Sequence, residues 1–181
     1  GTSRRQRQMC IRDSSKMRSG ELEGLSDFDD NWAPQINLGV PVLIPDKYVS
    51  DLDTRLGLYR RLSGLTSKVE LEGFAAELID RFGELPTAVN TLLLVVRIKA
   101  MCKRAQISKF DGGPKGATIQ FYNNKFKSPS GLVTFIDNEN GYAKIRDNKL
   151  VVIRSWAKDR DRIRGSFNLA KDLAKLAQAK N

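Results

Sequence analysis

SKVELEGFAAELIDRFGELPTAVNTLLLVVRIKAMCKRA, residues 67–105, reads as two helices joined by a very short corner. Ser67 and Glu70 form a capping box, in which the serine oxygen accepts from the amide three residues on while the glutamate reaches back. Apolar residues recur at Leu71, Phe74, Ala75, Leu78, Ile79 and Phe82, a stripe of period 3.6 that predicts one buried face, with Phe82 in the core. Gly83 then ends the helix, because a glycine just past the last periodic residue can take the left-handed conformation that closes it. Pro86 suits the first turn of the next. That second helix, about 86–105, carries Val89, Leu92, Leu93, Val96 and Met101, and Leu94, Val95 and Ile98 widen the face. So little of it can look at water that it is expected at the centre of the core.

Upstream, Ile36 to Leu38 and Val40 to Ile44 are short apolar pieces broken by Gly39, Pro41 and Pro45, which predicts a kinked edge strand. Ser50 with Asp53 is a weaker capping signal for a helix with Leu52, Leu56, Tyr59 and Leu62 on one face and Gly64 as its stop. Arg55, Arg60 and Arg61 surround that face. Three helices in succession with corners this short pack antiparallel or at steep angles.

Downstream the period changes. Ile107 to Asp111 and Ala117 to Tyr122 read as strands around the loop Gly112-Gly113-Pro114-Lys115-Gly116. Tyr142 to Arg146 and Leu150 to Trp156 read as a hairpin across Asp147 and Asn148. Between them, 128–137 predicts a short helix opened by Pro129. The last element, about 159–179, is a long amphipathic helix with Ile163, Phe167, Ala170, Leu173 and Leu176 inward. Helices first, grouped strands later and a closing helix give an α+β fold: a helical corner packed on a small, mostly antiparallel sheet, with a long C-terminal helix.

The length of 181 residues suits one domain that folds without disulfides or metal. Two cysteines, Cys10 and Cys102, are too few for a disulfide framework and point to a reducing, cytoplasmic setting. The longest apolar run stops at Arg97, so no membrane span is expected. Of the net charge of +10, about half lies in residues 1–18, where Arg4, Arg5, Arg7, Arg12, Lys16 and Arg18 face Asp13 alone. This stretch lacks apolar periodicity. Residues 1–31 therefore read as a disordered leader, artificial or a linker, with a basic arm as the alternative, and 32–181 as the domain.

The chain contains no histidine, which removes His-based triads, His-based metal sites and the commonest general base. The glycine-rich loop lacks the spacing of a phosphate cradle and opens no helix, so a hairpin loop is expected there. The acid pairs Asp51/Asp53 and Asp159/Asp161 sit near helix starts, where carboxylates complement the dipole, and suggest no catalytic site. Eight basic residues between Lys144 and Arg164 (Lys144, Arg146, Lys149, Arg154, Lys158, Arg160, Arg162, Arg164), interleaved with Tyr142 and Trp156, could contact nucleic acid or be a solvated face.

The segments Val42-Leu43-Ile44-Pro45, 53–62 (DTRLGLYRRL) and 77–86 (ELIDRFGELP) together resemble the C-terminal domain of the bacterial transcription-repair coupling factor. The resemblance implies a non-catalytic regulatory module, with no cofactor of its own. It would close a large DNA translocase whose motor uses ATP and magnesium, acts on double-stranded DNA, removes stalled RNA polymerase and recruits nucleotide excision repair. It also implies docking on an N-terminal repair-helicase-like module, which hides the binding site for the damage-recognition ATPase and restrains the motor. Glu77 corresponds to the acidic residue expected at that contact, opposite arginines, with Asp80 and Arg81 beside it. A Glu77–Arg81 pair within the helix is the local alternative. Arg55, Tyr59, Phe82, Gly83 and Pro86 belong to the structural motif. A basic nucleic-acid-binding module is the second functional class.

Overall fold

The computed structural model describes residues 32–178. The expectation of a leader at 1–31 lies outside them, as does Cys10. In chain order the elements are β1 (Gln35–Asn37), α1 (Leu52–Ser63), α2 (Lys68–Phe82), α3 (Thr87–Arg104), β2 (Ile107–Gly113) and β3 (Gly116–Phe121). A 3-10 turn (Tyr122–Asn124), α4 (Pro129–Asn138), β4 (Ala143–Arg146), β5 (Lys149–Ile153) and α5 (Asp159–Gln178) follow.

Local sequence signals decide the helix ends. At α2 both halves of the capping box form: the Glu70 amide donates to Ser67 Oγ at 3.1 Å and the Ser67 amide donates to Glu70 Oε1 at 3.1 Å. The start of α1 corrects the expected Ser50 cap, since Asp51 accepts from the Thr54 amide at 2.8 Å and from its hydroxyl at 2.7 Å. A carboxylate one residue later reaches the same orphan donors and also suits the dipole. Gly83 closes α2 at φ +97°, and Pro86 stands as the N-cap just before α3 rather than within its first turn.

The sheet runs β1-β2-β3-β5-β4, antiparallel throughout except for the parallel pair β1·β2. The expected strand at Val40 to Ile44 does not form, because Pro41 and Pro45 offer no ladder donor and only Gln35–Asn37 pairs. The fifth strand likewise ends at Ile153, short of Trp156. Between β4 and β5, Asp147 and Asn148 both take positive φ (54° and 64°), the backbone of a two-residue hairpin turn.

Helix α3 is the spine of the molecule. Its Val95, Ile98, Met101 and Cys102 pack with Phe110, Ile119, Leu150 and Leu173 in a core between the sheet and α5. Its Val89, Leu92 and Val96 pack with Leu58, Leu62, Phe74 and Leu78 in a second core beneath the helical corner. A helix apolar nearly all round can serve two cores at once, which is why its pattern is so wide. At the start of the described chain, Trp32 stacks on Tyr122 at 4.4 Å and the Lys103 ammonium sits 3.9 Å from the Trp32 ring centre.

A charged helical corner as the candidate docking site

Residues 16 apart in sequence meet where α1 passes α2. Arg61 on α1 grips Glu77 on α2 with both ends of its fork, Nη1 to Oε2 at 2.8 Å and Nη2 to Oε1 at 2.7 Å. Arg81, one turn further along α2, donates from Nη1 to the same Oε2 at 3.1 Å. Each guanidinium also lies over a ring of the corner, Arg61 over Phe74 at 5.0 Å and Arg81 over Phe82 at 4.8 Å. The bonds from Arg61, then from Arg81, hold the Glu77 carboxyl down at about 2. The local alternative, a Glu77–Arg81 pair, is thus present, but the stronger partner comes from the neighbouring helix.

The three side chains stay open to water, with Glu77 at 35% and the arginines at 49% and 45% exposure. A carboxylate offers about four acceptor positions, and three donors occupy this one. The trio carries a net charge of +1. Asp80 is exposed and makes no ion pair among the described residues. At 100° per residue, Val69, Glu72, Gly73, Ala76, Ile79 and Asp80 share the outer arc of α2, with Glu77 at its margin and Arg81 beyond it, on the side of Phe74. Val69 (77% exposed) and Ile79 (50%) put aliphatic surface on that arc. Ile79 therefore corrects the inward placement its spacing predicts, as does Leu52 on α1, exposed at 45%. In both cases about half of the side chain stays open to water, so burial does not follow the period alone.

The structural residues hold this corner in shape. The Ile44 amide donates to the buried Tyr59 hydroxyl oxygen at 2.6 Å, and burial pushes the Tyr59 phenol up. Arg55 donates to the carbonyls of Val49 at 2.7 Å and Ser50 at 3.2 Å, pinning the turn before α1. The Tyr48 hydroxyl donates to the Gly83 carbonyl at 2.7 Å and lies 3.1 Å from that of Leu78, while its ring tilts against Phe82 at 5.7 Å. Phe82 is only partly buried, a lid on the second core rather than its centre. Tyr48 is the residue the sequence did not signal: it lies in an irregular segment where no periodicity marks it.

The basic C-terminal stretch divides on inspection. Arg162 is buried at 8% exposure and donates to the carbonyls of Leu38 (3.0 Å), Trp156 (3.2 Å) and Ala157 (3.3 Å), so it ties α5 to the segment after β1. Trp156 is buried at 5% against Gly165 and cannot stack on a base. Arg154 pairs with Glu139 at 2.8 Å. Lys144, Arg146, Lys149, Lys158, Arg160 and Arg164 remain exposed. The glycine-rich loop is the β2–β3 hairpin connection. No group of three or more metal-ligating side chains occurs among the described residues, Cys102 is buried, and no described helix is long and apolar enough to cross a membrane.

Comparison with known proteins places this corner in a family. A profile of the TRCF domain matches residues 38–132, which include all three motif segments. The chain is 47% identical over 124 residues to the transcription-repair-coupling factor of Rickettsia bellii and 32% identical over 123 residues to that of Escherichia coli. Each match covers 68% of this chain and 11% of the relative. The chain thus spans about a tenth of the length of these relatives. Its fold is similar to a crystal structure of the C-terminal domain of transcription-repair coupling factor, with TM-score 0.65 at 23% identity, covering 82% of this chain and 96% of that one. With the α+β order, the corner motif and the matched profile in agreement, the chain belongs to the TRCF domain family of transcription-repair coupling factors.

Proposed function

We propose that this domain is a regulatory, non-catalytic module that docks through the outer face of α2 on the N-terminal repair-helicase-like module of its parent protein. The observation that carries the reading is the Glu77 carboxylate, shared by Arg61 and Arg81 and still one-third exposed at the edge of an arc with open aliphatic surface. An arginine from the docking module can take the remaining acceptor position of Glu77 or displace Arg81, whose bond is the longer one. Asp80 offers a second carboxylate a turn away. Close charge pairs on a desolvated interface couple by roughly 1.5–7 kcal/mol, against well under 1 kcal/mol for an exposed pair. Docking of that strength can be undone by a competing partner.

In this reading the docked state hides the site for the damage-recognition ATPase of excision repair and restrains the ATP- and magnesium-dependent motor that translocates on double-stranded DNA and displaces stalled RNA polymerase. Family membership and the absence of motor motifs from this stretch support the assignment. The test compares ATP hydrolysis and DNA binding of the parent protein with and without residues 32–181. Higher activity on removal is expected, and unchanged activity would remove the autoinhibitory role.

A further inference from the structure

The register of the sheet lines up a second surface, far in sequence from the α2 corner. Inward-facing Phe110, Ala117, Ile119, Leu150, Val152 and Ala143 fill the core against α3 and α5. Alternation then sends the intervening residues to the other side of the sheet. There Gln35, Lys109, Gln120, Lys149 and Arg146 stand opposite one another across all five strands as one rung. The next rung is Asn37, Asp111, Thr118, Val151 and Lys144. Every one of these residues is exposed or half-exposed among the described residues. Four cations share the two rungs with one acid, Asp111, which lies 3.8 Å from Lys109. Asp147 adds an acid on the β4–β5 turn, and Lys115 adds a cation to a shallow hollow of about 500 Å³ that continues this face past Asp111 and Thr118.

We infer that this uncovered sheet face binds the phosphate backbone of nucleic acid. Charge complementarity chooses the occupant. A protein interface needs an apolar, charge-depleted centre; Val151 is the one aliphatic residue in either rung, and the exposed Ile153 and Tyr142 lie past them at one end of the face, away from the row of cations. Nucleic-acid interfaces are more polar and much more positively charged, as here. Lys109, Lys149 and Arg146 span three strand spacings, about 14 Å, which covers about four nucleotides at the 3.4 Å axial rise of one strand. Gln120 between Lys109 and Lys149, and Gln35 at the edge beside Lys109, can donate to phosphate or sugar oxygens. The rungs carry no aromatic ring, so the contact reads charge and not sequence. The surface differs from the basic stretch marked in the sequence: of those eight cations the rungs keep Lys144, Arg146 and Lys149, and the face gains Lys109 and Lys115.

The full chain is titrated with fluorescent duplex and single-stranded DNA at several salt concentrations, beside the triple variant Lys109→Gln, Arg146→Gln, Lys149→Gln. All forms keep the arginines of residues 1–18, so the difference reads the sheet. Loss of three phosphate contacts is expected to flatten the plot of log K against log salt by about 2.7 on duplex and weaken binding about tenfold or more at low salt. Asp111→Asn, which frees Lys109, is expected to bind about two- to threefold more tightly, a gain that misfolding cannot mimic. An unchanged slope in the triple variant, or no gain in Asp111→Asn, overturns the inference. Binding of a polyglutamate peptide as tight as DNA and equally lost in the triple variant also overturns it, in favour of an acidic protein.

Discussion

Arg61 and Glu77 join α1 to α2 through two parallel hydrogen bonds of 2.8 and 2.7 Å, while Arg81 reaches the same carboxylate from its own helix. The residue that the family resemblance places at an interdomain contact is thus also a strut of the corner. Any test at Glu77 must separate the two roles.

The strut has a pH signature. Glu77 is held at about 2 against an ordinary 4.5, so the folded state favours the ionised form. A depressed carboxyl contributes stability that is full above the ordinary value and is lost as pH falls through about 2. Glu77→Gln should lower the melting temperature by about 1–3 °C at neutral pH. It should also flatten the fall in stability between about pH 4.5 and 2. Thermal melts across that range, monitored by circular dichroism, measure both.

Tyr59→Phe should destabilise the fold by about 1–3 kcal/mol. The Ile44 amide then loses its 2.6 Å acceptor in a buried setting. A urea titration should show a lower midpoint at unchanged slope.

Gly83→Val should cost about 1–3 kcal/mol for a reason unrelated to crowding. A Cβ at Gly83 would meet nothing within 4 Å, but φ +97° with ψ −168° is a region open essentially to glycine alone. Gly83→Ala should show most of the same loss in a urea titration. If alanine were neutral and valine costly, side-chain bulk would be the cause instead.

Cys102 should be inert while the domain is folded. It is fully buried on α3, and burial pushes its thiol up, away from the reactive thiolate. In a Cys10→Ser background, labelling by a thiol reagent should track unfolding in denaturant.

Much of this fold was legible from residues 67–105 because its signals are local. Ser67, Glu70 and Gly83 act within one turn of themselves, and the capping box and helix stop appear where the spacing puts them. The hairpin at Asp147-Asn148 is local in the same sense. The features that local signals do not carry are long-range: the parallel pairing of β1 with β2, the double core served by α3, and the bond from Arg162 Nη1 to the Leu38 carbonyl, 124 residues away. The contacts around Glu77 were only partly legible, since its Arg81 partner lies four residues along the same helix and its Arg61 partner does not. The family resemblance singled out Glu77, with Asp80 and Arg81 beside it, but Arg61 reaches Glu77 from α1 and Tyr48 reaches the Leu78 and Gly83 carbonyls from the loop before α1, and no period within α2 encodes that.

Asp80 provides the most direct test of docking, because it shares the open arc of α2 and makes no ion pair among the described residues. The measurement is a calorimetric titration of this domain against the N-terminal repair-helicase-like module, for the unchanged chain, Asp80→Lys and Glu77→Lys. The account predicts binding by the unchanged chain and about tenfold or greater weakening in both variants, with the Asp80→Lys fold melting as before. Equal affinity for all three chains, or no binding by the unchanged chain, would contradict it.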